Sequence, residues 1–213
     1  PEARAASTPT SANARRAAIT IAARIEDIAR AAGLSKASFY GYFESKEALF
    51  SSLVHEFFSV VQRSADERHA ENEALAARLG TCDAADWAQR TPRYWAFAEL
   101  EHRFTLRFLE LLWEWRDLVQ ALLEHASDTH RAWIDGMVST TLGTLAERLA
   151  QAMQSGFLRR DLDPEIASEV LVGAYLQLGR RMFRLPEPPD LERWARTVET
   201  VLNEGLRPRD EGE

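Results

Sequence analysis

Only one cysteine, Cys82, occurs among 213 residues, so no intramolecular disulfide can brace this chain. A lone thiol suits a reducing cytoplasm, and Cys82 is expected as a small core or loop residue. Lysine is nearly as scarce: Lys36 and Lys46 are the only two, and every other cation is arginine. No apolar run approaches the ~20 residues that a membrane helix needs, and no secretory signal pattern is visible. The chain is therefore expected in the cytoplasm, away from membranes. Between Thr10 and Thr91 there is no proline, and nowhere do apolar and polar residues alternate with period two. Apolar residues instead recur at three- and four-residue spacing, which predicts helices throughout and an all-α fold. Catalytic machinery is missing as well. There is no Gly-rich phosphate loop, no Cys–His set and no His-Glu-x-x-His, so no catalytic residue is assigned and the chain does not read as an enzyme. His55, His69, His102, His125 and His130 form no metal-ligand pattern, and neither a metal nor another cofactor is expected.

What is present is unevenly distributed. The net charge is −7, yet residues 1–50 hold seven Lys/Arg against five Asp/Glu, a net of +2. The other 163 residues carry 19 basic and 28 acidic groups, a net of −9. A mildly basic head on an acidic body suits a local contact with nucleic acid. Residues 1–12, rich in Pro, Ala, Ser and Thr, read as a loose arm whose Arg4, with Arg15 and Arg16 beyond it, could reach a phosphate or simply be solvated.

Residues 26–50 read as two short helices joined at a tight corner. Ile28, Ala29 and Ala32 form the inner face of the first, and Gly33 supplies the left-handed backbone that ends it. Leu34 plugs the corner, and Ser35 is placed to cap the next helix. Phe39 and Phe43 lie four apart and point inward. Lys36, Ser38, Tyr40 and Tyr42 project elsewhere, as donors and flat aromatics suited to phosphates and base edges. This is a helix-turn-helix, whose second helix enters the major groove.

The run Asp27-Ile28-Ala29…Ala32-Gly33-Leu34-Ser35…Phe39-Tyr40-x-Tyr42-Phe43-x-Ser45-Lys46-Glu47-x-Leu49 resembles the signature of the TetR family of bacterial transcriptional regulators. The resemblance implies an N-terminal three-helix DNA-binding domain over 1–50 and a larger helical ligand-binding and dimerisation domain over 51–213. It implies DNA contact through Ser35, Lys36, Ser38, Tyr40 and Tyr42, with Lys46 on phosphate. Tyr40 could instead be half-buried with only its hydroxyl reaching out, and Gly41 would let the sugar-phosphate backbone approach closely. One departure stands out. Ile19-Thr20-Ile21-Ala22-Ala23 resembles the middle of the family's first helix, but Arg24 runs straight into Ile25, without the usual Gly-aromatic corner and Thr. A genuine deletion would remove packing behind the recognition helix; the close match of both flanks favours a segment omitted from the chain as read.

Beyond the motif, Ser45 should cap a helix from Lys46 toward Leu79, interrupted by a break, with Gly80–Asp86 as a loop. Pro92 can open a stretch to about His125, and Asp128 or Thr129 another to Ser155, stopped by Gly156. Asp163-Pro164-Glu165 supplies a capping carboxylate, a proline at the first helical position and an acid near the positive helix end. That helix should reach about Arg184, and a last one should span Asp190 to Leu206.

Residues 94–115 hold seven of the chain's 20 aromatics. Trp95, Phe104, Phe108 and Trp113, with Trp133 and Met137, could line an apolar cavity. An aromatic stripe at this spacing serves plain core equally well; the resemblance implies a pocket for a largely apolar or aromatic small-molecule effector. Glu99, Glu101, His102 and Arg103 could add polar specificity or form a solvated face. Val170, Ala174 and Leu178, with Trp194, Val198 and Val201, would make a four-helix homodimer interface, as the family does, or close the monomer's own core. The sequence thus reads as a ligand-responsive regulator of double-stranded operator DNA, a repressor by resemblance. A helical adaptor for protein partners is the rival, and loss of DNA affinity on mutating Lys36 and Tyr42 would separate the two.

Overall fold

The structure is a computed structural model that describes residues 24–31, 33–125 and 128–206; the arm, Arg15, Arg16, Ile19–Ala23 and Ala32 lie outside them. Among the described residues every regular element is an α-helix: α1 Ile25–Ala31, α2 Lys36–Tyr42, α3 Lys46–Leu79, α4 Ala84–Gln89, α5 Pro92–Glu114, α6 Arg116–His125, α7 Asp128–Gln154, α8 Pro164–Met182 and α9 Leu191–Leu206. No helix among the described residues is long and apolar enough to cross a membrane.

Two compact groups divide the chain. The first runs to Val61 and adds Trp115–His130; the second holds Gln62–Glu114 and Arg131 onward. This grouping differs from a division at residue 50, and burial explains why. Leu53, Val54 and Phe57 of α3 are buried, as are Trp115, Leu118 and Leu122. The rings of Phe57 and Trp115 lie 5.7 Å apart. Helix α3 enters both groups, unbroken over its 34 residues. Its second half is mostly Ala, Glu and Arg, which are good helix formers.

In the second group α5 packs against α9, α8 and α4. Its Tyr94, Phe97, Leu100 and Phe104 form one buried stripe that joins Leu75, Cys82 and Trp87 in one core. Burial pushes the Cys82 thiol up to about 11, so it stays protonated and serves as packing. A smaller core gathers Leu149, Met153 and Leu158 where α7 turns toward α8. Gly156, at φ +79°, makes that turn.

Three boundaries differ from the sequence expectation. The segment Gly80–Asp86 is only partly loop, because Asp83 and Asp86 form a reciprocal capping box that starts α4 at Ala84. The stretch from Pro92 to His125 breaks at Trp115, where neither glycine nor proline marks it. Helix α8 stops at Met182 rather than near Arg184. Its start is as expected: Asp163 accepts from the amides of Glu165 and Ile166 at 2.9 and 3.2 Å.

Candidate functional site

The corner between α1 and α2 is built as its residues dictate. Gly33 has φ +70°, its amide donating to the Arg30 carbonyl at 3.0 Å, while Leu34 donates to Ala29 at 2.8 Å. Those bonds satisfy the carbonyls left over at the end of α1. Ser35 is extended (φ −75°, ψ 159°) and accepts from the Ser38 amide at 3.0 Å, capping α2. The Ser35 and Ser38 hydroxyls also lie 2.8 Å apart. Ser35 is therefore committed to the helix cap, and Ser38 stands exposed beside it. Ile28, Ala29 and Phe39 are almost fully buried, and Phe43 packs on Phe39 at 5.7 Å between ring centroids.

With Phe39 turned in, the other faces of α2 turn out. Tyr40 and Tyr42 are 48% and 53% exposed, high for tyrosines and without a protein reason. The Tyr40 ring meets Phe39 edge-on at 5.7 Å and so is fixed at its base only. A Cβ on Gly41 would meet nothing within 4 Å, so this outer surface is open to close approach. Lys36 is exposed one turn before Tyr40 and donates to the Glu26 carboxylate of α1 at 2.5 Å. That bond holds the Lys36 ammonium above its usual range and Glu26 below its own. Lys46, half-buried, opens α3 behind its Ser45 cap, which accepts from the Ala48 amide at 3.0 Å. Sequence reasoning missed Glu26, because nothing local links residues ten apart across a corner.

In the body the expected pocket residues differ in burial. Trp95 is 59% exposed, one position off the buried stripe of α5. Phe104 is packed into the core with Leu75, Cys82 and Trp87. Phe108 is half-buried and meets Tyr175 of α8 edge-on at 5.4 Å. Trp113 and Met137 are also half-buried, while the Trp133 side chain lies outside the described set. Tyr175, unremarked in the sequence, is the polar centre here. Burial pushes its hydroxyl up, against the hydrogen bond it shares with Thr105.

Several polar residues of α5 have protein partners. Glu101 accepts from Asn72 at 2.8 Å and pairs with Arg68 at 2.6 Å, and Arg103 pairs with Glu71. His102 lies between two carboxylates of α9: Nδ1 is 3.0 Å from Glu199 and Nε2 3.2 Å from Glu192. Burial disfavours its cation, yet the Glu199 hydrogen bond and both charges prevail and raise its pKa. Glu99 alone of that quartet is simply exposed, with no described partner. A shallow, open depression of about 350 Å³ runs along α9 past Arg193, Arg196 and Thr197.

On α8, Ile166 and Val170 are 62% and 59% exposed, and Val201 on α9 is 67% exposed. Ala174, Leu178, Trp194 and Val198 are half-buried, with Arg181 lying over the Trp194 ring at 5.7 Å.

Known proteins match the same regions. The model for bacterial regulatory proteins of the tetR family fits residues 14–53, the segment holding α1 and α2. An uncharacterized HTH-type transcriptional regulator of Bacillus subtilis, YdgC, is 40% identical over 50 residues, 24% of this chain. That match spans about a quarter of YdgC (26%). The HTH-type transcriptional repressor DhaR of a Mycobacterium species is 26% identical over 88% of this chain and 83% of its own. In fold, the fatty acid degradation regulator FadR of Bacillus halodurans superposes with a TM-score of 0.63 at 19% identity, over 92% of this chain and 98% of that one. Thermus thermophilus FadR, a TetR-family repressor solved with lauroyl-CoA, gives 0.50 at 20% identity, over 94% and 97% of the two chains. In its helix-turn-helix segment the chain is thus similar to bacterial regulatory proteins of the tetR family, and over most of its length it resembles an HTH-type transcriptional repressor.

Proposed function

We propose that this chain is a cytoplasmic, homodimeric repressor that leaves its operator when a small molecule binds the body. The observation that carries the reading is the outward face of α2, where Lys36, Ser38, Tyr40 and Tyr42 stand exposed over a buried Phe39. An ammonium and three hydroxyls on one short helix suit phosphates and base edges. Ser35 contributes by capping that helix, and Lys46 adds a cation at the start of α3. One such head makes few contacts. Two, set about 34–36 Å apart or a multiple of that, would read a two-fold symmetric site.

The exposed Ile166, Val170 and Val201 support pairing through α8 and α9, since large apolar side chains at a helix surface ask for a cover. Ala174, Leu178, Trp194 and Val198 flank that surface. The effector is expected near Phe108 and Tyr175, as a largely apolar molecule with one hydrogen-bonding group for the Tyr175–Thr105 pair. It acts by favouring a body conformation in which the paired heads no longer fit the half-sites. Lauroyl-CoA, the ligand of Thermus FadR, is the first probe for it.

Genome-wide mapping of DNA bound by the intact chain tests the reading. Enrichment of a two-fold symmetric site, lost with Lys36→Ala and Tyr42→Ala together, supports it. Binding that survives both substitutions, or no symmetric site at all, overturns it.

A further inference from the structure

The cation that the DNA reading relies on most is already engaged within the chain. Lys36 Nζ donates to Glu26 Oε1 at 2.5 Å, and both side chains remain about half exposed (55% and 46%). Glu26 lies in the first turn of α1, where the helix N-terminus favours a carboxylate. It is exposed, outside the core, and its carboxylate takes the Lys36 ammonium first and a backbone N–H of its own first turn second.

The same pattern holds across the head. Between residues 24 and 50 there are four cations (Arg24, Arg30, Lys36, Lys46) and four acids (Glu26, Asp27, Glu44, Glu47), a net of zero. Arg30 is likewise paired, with Asp27 at 3.3 Å. A DNA-reading corner whose own cations are matched by carboxylates attracts a duplex weakly unless further contacts are made.

We infer that Glu26 is a specificity-determining residue: its carboxylate stands where a DNA phosphate would sit on Lys36 and so suppresses binding to non-operator DNA. A duplex that offers only phosphates must displace Glu26 from Lys36 and then face its negative charge. An operator recovers that loss through the contacts of α2 that random sequence lacks. The inference rests on the proposed DNA contact by Lys36.

The test uses the full chain, a random-sequence duplex and a salt series, with Glu26→Gln, Lys36→Gln and the double variant. Glu26→Gln is expected to tighten random-duplex binding by roughly two- to five-fold, the scale of one exposed ion pair. It should also steepen the dependence of log affinity on log salt by about 0.9, one more phosphate contact. Both effects should vanish in the Lys36→Gln background, and thermal melts should show each variant folded. Wild-type affinity that falls with Lys36→Gln but is unmoved or weakened by Glu26→Gln overturns this inference alone. So does an equal gain with and without Lys36, which would make Glu26 a general repulsive charge. A wild-type chain with no salt-dependent duplex affinity overturns the DNA reading itself, and this inference with it.

Discussion

The head and the body spend their aromatic residues in opposite ways. In the head, α2 has three aromatics in seven residues, and two of them, Tyr40 and Tyr42, are about half exposed. In the body, α5 buries Tyr94, Phe97 and Phe104 in one stripe, with Trp95 as the exception. Charges differ too. The pairs Arg30–Asp27 and Lys36–Glu26 of the head are local to α1 and α2, whereas the body also has pairs that tie together helices far apart in sequence, Arg68–Glu101 and His102–Glu199 among them. A surface that exposes flat, hydrogen-bonding rings beside a cation is arranged for a partner, and a buried stripe for stability. The same residue type therefore carries different information in the two regions, and exposure rather than composition tells which.

The sharpest way to break that comparison is to truncate one buried ring in each region. Phe39→Ala and Phe104→Ala should each cost about 3–5 kcal/mol in chemical denaturation, as full-sized aromatics removed from packed sites do. Phe39→Ala should also abolish duplex affinity, because α2 rests on that ring. A loss below about 1 kcal/mol at either position would mean that the site collapses or was never packed.

Next in size is the corner. Gly33 holds φ +70°, where an added Cβ meets no neighbour but the backbone itself is unfavourable for other residues. Gly33→Ala should therefore destabilise by about 1–2 kcal/mol, read from the denaturation midpoint. An unchanged midpoint would show that α1 and α2 can meet by another turn.

How legible each region was follows from the range of its contacts. Phe39 with Phe43, and Ser35 with Ser38, meet at four and three residues' separation, within reach of helical periodicity, and so the head could be read residue by residue. His102 finds Glu199 across 97 positions and Glu192 across 90, and no local pattern announces either. The body's helices were expected within a few residues, because Asp163-Pro164 and Gly156 mark ends by backbone chemistry. Which face of α5 turns inward was only half legible: Phe104 and Trp95 are both aromatic, and only packing separates them.

That long-range His102 clamp gives a smaller, pH-dependent effect. Both ring nitrogens face carboxylates, so the imidazolium is the form that satisfies them. Its folded pKa is raised above the ordinary 6.5. The stabilisation is thus complete below about pH 6.5 and lost as pH rises through the folded value. Wild type should exceed His102→Gln in melting temperature at pH 6, with the gap shrinking toward pH 9. A gap that widens with pH would mean that the neutral ring is the favoured form. Glu192, held low by Arg196 foremost, contributes in a separate window, lost only in acid.

The smallest effect sharpens the comparison at the head's surface. Gly41→Ala meets open space and should raise helix stability by about 0.5–1 kcal/mol. If DNA approaches α2 closely there, the same change weakens duplex binding while the melting temperature rises. Stability and affinity rising together would place the duplex elsewhere on the head.

The account depends most on two copies of α2 gripping one duplex. Sedimentation of the intact chain, alone and with a duplex carrying its mapped site, over a range of salt concentrations, measures this directly. The expected result is a dimer in the absence of DNA, two chains per site in the complex, and affinity that falls steeply as salt rises. A chain that stays monomeric, or one whose association with the duplex is indifferent to salt, would contradict it.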